Sequence, residues 1–335
     1  MAVESTPTPG APPSGAARRG HAGADRIIRR LSEADLPVAD QIFRSAFGAF
    51  LGIPDPTAFG GDSDWVSTRW RADPSASLGA FVDGDLVASN FVTHWGSFAF
   101  FGPLTVRPAY WGQGIARDLM EATVPLLERD GAVLSGLMTF PHSTKHIGLY
   151  QRHGFWPRSL TALVDRPVAA PANKVAWRAF SAETDRDVAL SKCARLTGEI
   201  FNGLDVRRDI LAVAEQELGE TVLIDDANGD LSAFAVCHAG AGSEAGSGSV
   251  FVKFAAVRPG LGATGVFGRL LDACDDLAAR RGATTLTAGV NAERHACYAR
   301  MQEAGFRVQM HGVAMMRPDS PGFNRADVYV LDDWR

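Results

Sequence analysis

Cysteine is scarce. The 335 residues contain four, Cys193, Cys237, Cys274 and Cys297, all in the second half and none in a C-x-x-C pair. That argues against an oxidised disulfide framework and a structural zinc site. No stretch approaches the roughly 20 apolar residues that a membrane helix needs. Residues 1–24 hold no apolar core of the secretion-signal kind, only Glu4, a run of Pro, Ala and Gly, and an Arg18-Arg19 pair with no apolar stretch behind it. The expectation is a cytoplasmic chain with no membrane partner. Positive charge is not in excess either: 33 Lys and Arg face 38 Asp and Glu, for a net charge of −5. No global basic field attracts nucleic acid, and a cationic partner suits the chain better.

What is present is ordinary for a folded protein. Hydrophobic residues make up 46% and charged residues 21%, which excludes a mainly disordered or collagen-like chain. At roughly 150 residues per domain the length allows about two domains. Residues 1–24 read as a flexible tail, and Asp165-Arg-Pro-Val-Ala-Ala-Pro-Ala-Asn173 as a linker, placed at residues 166–174. Ala239–Ser249, rich in Gly, Ala and Ser, reads as a flexible hairpin loop.

Internal repetition decides the architecture. Val106-Arg-Pro108 and Val257-Arg-Pro259 stand 151 residues apart. The same offset carries Gly114 onto Gly265, Leu119 onto Leu270, Arg129-Asp-Gly-Ala132 onto Arg280-Arg-Gly-Ala283, and Gly154-Phe155 onto Gly305-Phe306. Two tandem copies of one domain, residues 25–165 and 175–335, give the simplest account.

Each copy is predicted as α/β (α+β). Ile27–Leu31 reads as a strand, with Ser32 capping a helix that runs from near Asp35 to about Phe50. Asp83-Gly84 turns a hairpin within 80–88. Phe98–Val106 reads as a strand, and the helix after it places Ile115, Leu119, Ala122 and Leu126 on one face, with Pro125 predicted to kink it. Strand Val133–Phe140 and helix Thr144–Arg152 follow. The second copy repeats these as strand Val250–Val257, a helix burying Val266, Leu270, Cys274 and Leu277, strand Thr284–Val290 and helix Glu293–Ala304.

The sharpest motif is Leu104-Thr-Val-Arg-Pro-Ala-Tyr-Trp-Gly-Gln-Gly-Ile-Ala116, a strand passing through a two-glycine turn into a helix. Gly112 and Gly114 leave backbone N–H groups uncovered beside the positive end of the helix dipole, a geometry that suits a pyrophosphate. It is not a P-loop, because no Lys-Ser/Thr follows the glycines. Arg117 stands where a dinucleotide fingerprint has its third glycine.

With Gly148-Leu-Tyr-Gln-Arg-His-Gly-Phe155 downstream, the motif resembles the acetyl-CoA signature of the Gcn5-related N-acetyltransferases, and the likeness extends over both halves. Trp111 stands where that family usually has Arg or Gln. The resemblance implies a mixed, splayed β-sheet flanked by helices in each copy, with pantetheine lying between two diverging strands. It implies acetyl-CoA as co-substrate, no metal, and cofactor contacts from Leu104, Thr105, Val106, Trp111, Gly112, Gln113, Gly114, Ile115 and Ala116. Tyr150 falls where many members place the acid that protonates the departing thiolate.

No general base stands out. His142, which follows the second splayed strand, is the first choice ahead of His94 and His146, while Asp118 and Glu121 read as solvated. Trp95 and Phe98 read as core or as the lining of an acceptor pocket. The offset of 151 carries Tyr150 onto Met301, Ala116 onto Phe267 and Gly112 onto Ala263, while Asn291, a residue type the family uses toward cofactor, matches Phe140. Catalysis is therefore assigned to the first copy, and a degenerate or structural role to the second.

The expected activity is acetyl transfer to a primary amine of a small molecule, polyamine- or aminoglycoside-like, by direct attack in a ternary complex. A monomer is expected, its two copies pairing as a homodimer of single domains would. A non-catalytic CoA-binding scaffold and an acyltransferase with another acyl donor stay open. Tyr150 and the intact first loop favour the enzyme.

Overall fold

The computed structural model describes residues 25–169 and 175–335; the tail at 1–24 and part of the linker, 170–174, lie outside the described residues. The first half runs β1 (Arg26–Arg30), α1 (Leu36–Leu51), α2 (Val66–Ala72), β2 (Ser77–Val82), β3 (Asp85–Trp95), β4 (Phe98–Phe101), β5 (Thr105–Val106), α3 (Ile115–Leu127), β6 (Leu134–Thr139), α4 (Thr144–Arg152) and β7 (Trp156–Pro167). The second runs β8 (Arg178–Ala179), α5 (Arg186–Ile200), α6 (Arg207–Glu215), β9 (Gly219–Asp225), β10 (Leu231–Gly240), β11 (Gly246–Val257), α7 (Ala263–Arg280), β12 (Thr285–Asn291), α8 (His295–Glu303), β13 (Arg307–Arg317) and β14 (Val330–Leu331).

Local signals set the first elements. The Asp35 carboxylate accepts from both the N–H and the hydroxyl of Ser32, at 2.8 and 2.7 Å, and α1 follows directly. Gly52, left-handed at φ 70°, stops it. The helix buries Leu36, Ala39, Ile42, Phe43 and Ala46, the three-and-four spacing of a one-faced helix. Asp83 and Gly84 both take positive φ and join β2 to β3 in a tight hairpin.

Each half contains a fork. β4 pairs with β6 in parallel only from Phe98↔Leu134 to Phe100↔Gly136. Beyond that point β5 stays with β3, through Ser89↔Thr105 and Ala88↔Val106, while β6 turns to β13. In the second half β11 and β12 run together from Ser249↔Thr285 to Val252↔Ala288 and then part.

The halves are not separately closed. β13 lies between β6 and β7, and β7 lies between β13 and β12, so each half lends its long last strand to the other's sheet. The result is one 14-stranded sheet among the described residues. β7 runs on to Pro167, so the segment expected as linker begins as strand. The largest core is shared: Trp95, Phe98 and Phe100 pack with Phe254, Phe323 and Trp334 and with the apolar faces of α5 and α6. Trp95 meets Phe254 edge-on at 5.0 Å, and such a pair is worth about 0.5–1.5 kcal/mol beyond its buried area. Trp95 and Phe98 are thus core residues between the halves.

The Gly-rich β10–β11 loop, expected to be flexible, is docked. Gly242 N–H donates to Asp62 O at 2.9 Å, Ser243 O accepts from Asp64 N–H at 3.0 Å, and the Asp62 carboxylate accepts from Ser247. Gly246 serves close approach to the first half, since a Cβ there would lie 3.1 Å from the Asp62 carboxylate.

Candidate active site

The loop between β5 and α3 is held open by its own backbone. Gly112 and Gly114 take φ of 78° and 83°, a region side chains resist. A Cβ at Gly112 would meet nothing, and one at Gly114 would meet only the Arg117 guanidinium at 3.4 Å. Arg117 and Asp118 N–H both donate to Gly114 O, which starts α3. The N–H groups of Gly112, Gln113, Gly114, Ile115 and Ala116 find no partner among the described residues. Five free donors at a helix start form an anion cradle. Gln113 steadies it by donating to Ala109 O at 3.2 Å.

Two cations that sequence reasoning missed stand at this loop. Arg26, from β1, donates to Gln113 O at 3.2 Å and pairs with Asp118; Arg117 pairs with Asp118 at 3.1 Å. Asp118 is therefore a tether for two guanidinium groups, whereas Glu121 is 63% exposed, as a solvated residue should be. Charge alone could not single out Arg26, which lies 92 residues from Asp118 in the chain. Trp111 turns its indole back to donate to Val106 O at 2.6 Å and leaves its ring 43% exposed at the mouth of the loop.

Register decides which backbone groups face the fork. Arg107 N–H donates to Val87 O at 2.8 Å, and Gly102 N–H to Phe91 O at 2.9 Å. By strand alternation from Arg107, Thr105 also faces β3, and Val106 turns the other way, into the fork. Leu104 is half-buried, and Thr105 is buried, its hydroxyl 3.2 Å from that of Ser89. Thr105 thus supports the strand from behind.

Tyr150 projects from α4 against Phe101, ring centroids 5.5 Å apart, with Thr139 its hydrogen-bonding neighbour. Its full burial pushes the phenol pKa upward, so it stays a neutral donor at any ordinary pH. His142 is exposed on the loop after β6 and stacks on Phe50 at 5.9 Å. His146 packs on the same ring at 5.2 Å, and burial lowers its pKa, keeping the imidazole neutral. Phe47, Phe59 and Phe140 extend this aromatic wall. His94 is elsewhere: buried, it meets Leu126 O at 2.9 Å and caps a carbonyl at the end of α3.

A buried charge network reaches the fork from the second half. Glu244 accepts from Arg69 at 2.9 and 3.0 Å and from Lys253 at 2.6 Å. Arg69 also donates to Gly102 O at 2.6 Å, where β4 gives way to β5. Burial alone would raise the Glu244 pKa, but Arg69 and Lys253 hold it well below the usual carboxylate range.

The second half departs from this arrangement in detail. The offset of 151 holds for β6 and β12, α4 and α8, and β7 and β13, yet α7 begins at Ala263, not at the residue matching Ile115. Gly262, left-handed at φ 90°, precedes it, and Gly265 falls within its first turn. The loop is therefore one helical turn shorter. Met301 is buried in the core at the position of Tyr150, and Phe267 is core as well. Asn291 faces β7 rather than a ligand: it donates to Thr161 Oγ1 at 3.2 Å and accepts from Ser159 Oγ at 2.9 Å.

Residues 39–155 match the model of the acetyltransferase (GNAT) family. That family uses acetyl-CoA generally, and the open loop, the fork and the nearby cations of the first half fit such a donor. Among solved structures, a Pyrococcus horikoshii protein described as a candidate acetyltransferase matches at 14% identity and a TM-score of 0.65, over 95% of this chain and 96% of that one. A GCN5-related N-acetyltransferase from Sphaerobacter thermophilus matches at 17% identity and 0.57, over 89% and 96%. A tandem GNAT protein from the clavulanic acid biosynthesis pathway matches at 12% and 0.53, over 87% and 98%. At these identities the likeness speaks for the fold, which therefore extends through the second half. No curated protein matches the chain. Among the described residues no helix is long and apolar enough to cross a membrane, and no group of three or more His, Cys, Asp or Glu side chains is placed to hold a metal.

Proposed function

We propose that the first half transfers an acetyl group from acetyl-CoA to a primary amine of a small molecule. One observation carries the reading: the free N–H groups of Gly112–Ala116, the fork-facing Val106, and Tyr150 against Phe101 all belong to a single fork. Acetyl-CoA, when bound, supplies the activated thioester. The loop donors, with Arg26 and Arg117, hold its pyrophosphate, and Val106 offers an N–H group along the fork. A donor of that kind aimed at the developing oxyanion contributes about 2.7–4 kcal/mol.

The amine nitrogen attacks the thioester carbon directly, the new N–C bond forms as the C–S bond breaks, and Tyr150 donates to the departing sulfur. His142 accepts the proton that the amine loses, and passing it to solvent balances the one that restores Tyr150. The aromatic wall of Phe50 and Phe140 suits the ammonium form of the amine, which ring faces attract and which gives one proton to solvent before its neutral nitrogen attacks. The second half acts as structural partner, and the shared core and exchanged strands support a monomer.

A panel of amines assayed for thiol release tests the reading, with Tyr150→Phe as control. The variant should lose about 10²–10⁴-fold in kcat while its acetyl-CoA affinity is unchanged. Full activity in that variant would remove Tyr150 from the mechanism.

A further inference from the structure

The two forks come from one repeat, yet they differ in what they hold. After β13 the chain returns over α8, where Ala326 O accepts from Ala296 N–H at 2.9 Å. It then enters the second fork as β14, antiparallel to β11 through Ala256↔Val330 and Ala255↔Leu331. Val257 N–H donates to Tyr329 O at 3.0 Å. Val257 is the repeat counterpart of Val106, and no described strand pairs with the fork side of β5. On the other arm the segment lies so close to Gly289 that a Cβ there would sit 2.2 Å from that of Asp333. At the mouth, the Tyr329 hydroxyl is 2.6 Å from Thr264 Oγ1, in the first turn of α7, and its ring packs on Phe267 at 5.1 Å.

Residues of the second half are changed to receive this segment. Ser143 in the first half caps α4; its counterpart Arg294, fully buried, makes no such cap. Arg294 instead donates to Asn324 Oδ1 at 2.9 Å, to Val330 O at 2.9 Å and to both Asp332 carboxylate oxygens at 3.0 Å. Gly289 replaces the counterpart of Met138, leaving the strand bare where the segment crosses.

We propose that residues 328–333 are the resident occupant of the second fork, which is a receptor for an extended peptide strand of its own chain and not a second acyl-CoA site. The ladder to β11 and the anchored side chains are the elements of strand-addition recognition, supplied in cis. The statement about acyl-CoA rests on the reading of the first fork given above. One donor molecule is then held per chain.

Hydrogen–deuterium exchange of the full chain, with and without acetyl-CoA, tests this. Amides of 255–257 and 329–333 should be as protected as β10 in both states, with added protection from acetyl-CoA confined to 104–116. Replacing the anchor, Arg294→Ser, should speed exchange at 329–333 by about 10²–10³-fold while β4 and β6 keep their rates. Loop-like exchange of 329–333 in the unaltered protein, or protection by acetyl-CoA at 255–264, would overturn the proposal. So would an Arg294→Ser variant that exchanges like the parent. If acetyl-CoA changes nothing anywhere, the reading of the first fork fails, and protection of 329–333 in the free protein still decides the occupancy.

Discussion

Glu244 sits in the second half and acts on the first. Its carboxylate fixes Arg69, which in turn holds Gly102 O at the break between β4 and β5. Glu244→Gln takes from buried Arg69 its carboxylate partner and leaves Lys253 only Asp209, at 3.6 Å, a loss of about 3–5 kcal/mol. The expected outcome is a lower Tm and a raised KM for acetyl-CoA; an unchanged KM would show that Gly102 keeps its place without the network. His238, which accepts from Glu244 N–H at 3.2 Å, is pushed down to about 3 by burial and by Lys253. Its unfolded form takes a proton near 6.5, so acidification from there toward 3 favours unfolding by about 1.4 kcal/mol per pH unit. Glu244, shifted downward, gives stability that is present above its ordinary range and lost as pH falls through it, which adds to the same acid side. Melting measured from pH 7 to 4 should fall less steeply for His238→Asn than for the parent, and superimposable curves would contradict the assignment. None of this was legible in the sequence, because Arg69 and Glu244 lie 175 residues apart. The phosphate loop was legible for the opposite reason: its chemistry lies within thirteen consecutive residues, Leu104 to Ala116.

At the scale of elements, local pattern and the repeat carried the reading as far as local energetics decide structure. Helix α4 occupies Thr144–Arg152 as expected, and β6 and β12 fall within a residue or two of their predicted bounds. The start of α7 is earlier than the repeat implies, since Gly262 takes the left-handed turn that the gapless offset gave to Gly265. Strands β7 and β13 were not read at all. Only Arg307–His311 of β13 alternates between polar and apolar; the rest of β13 and all of β7 do not, and both pair on each side with segments distant in the chain. Gly289 likewise has no local signature, and only the approach of Asp333 explains it. Gly289→Ala should cost about 1–3 kcal/mol by overpacking, measured by chemical denaturation, whereas Gly112→Ala, with open space around it, should pay only for its positive φ. Equal stability of Gly289→Ala and the parent would show that the segment does not press on β12.

For the whole molecule, the tandem repeat predicted two copies but not that they exchange strands. The first half alone would lose β13 from between β6 and β7, leaving two unpaired interior edges. Residues 1–174 produced separately should therefore aggregate or pair with a second copy, and size-exclusion chromatography with light scattering distinguishes these from a folded monomer. A stable monomer would show that the exchange is dispensable. The same fusion explains why the two forks could diverge, one keeping its loop donors and the other filled by its own chain. Calorimetric titration of the full chain with acetyl-CoA tests that division most directly, run beside a Gly114→Trp variant that blocks the first loop. One site in the parent and none in the variant is the expected result. Two sites in the parent, or one that survives in the variant, would contradict it.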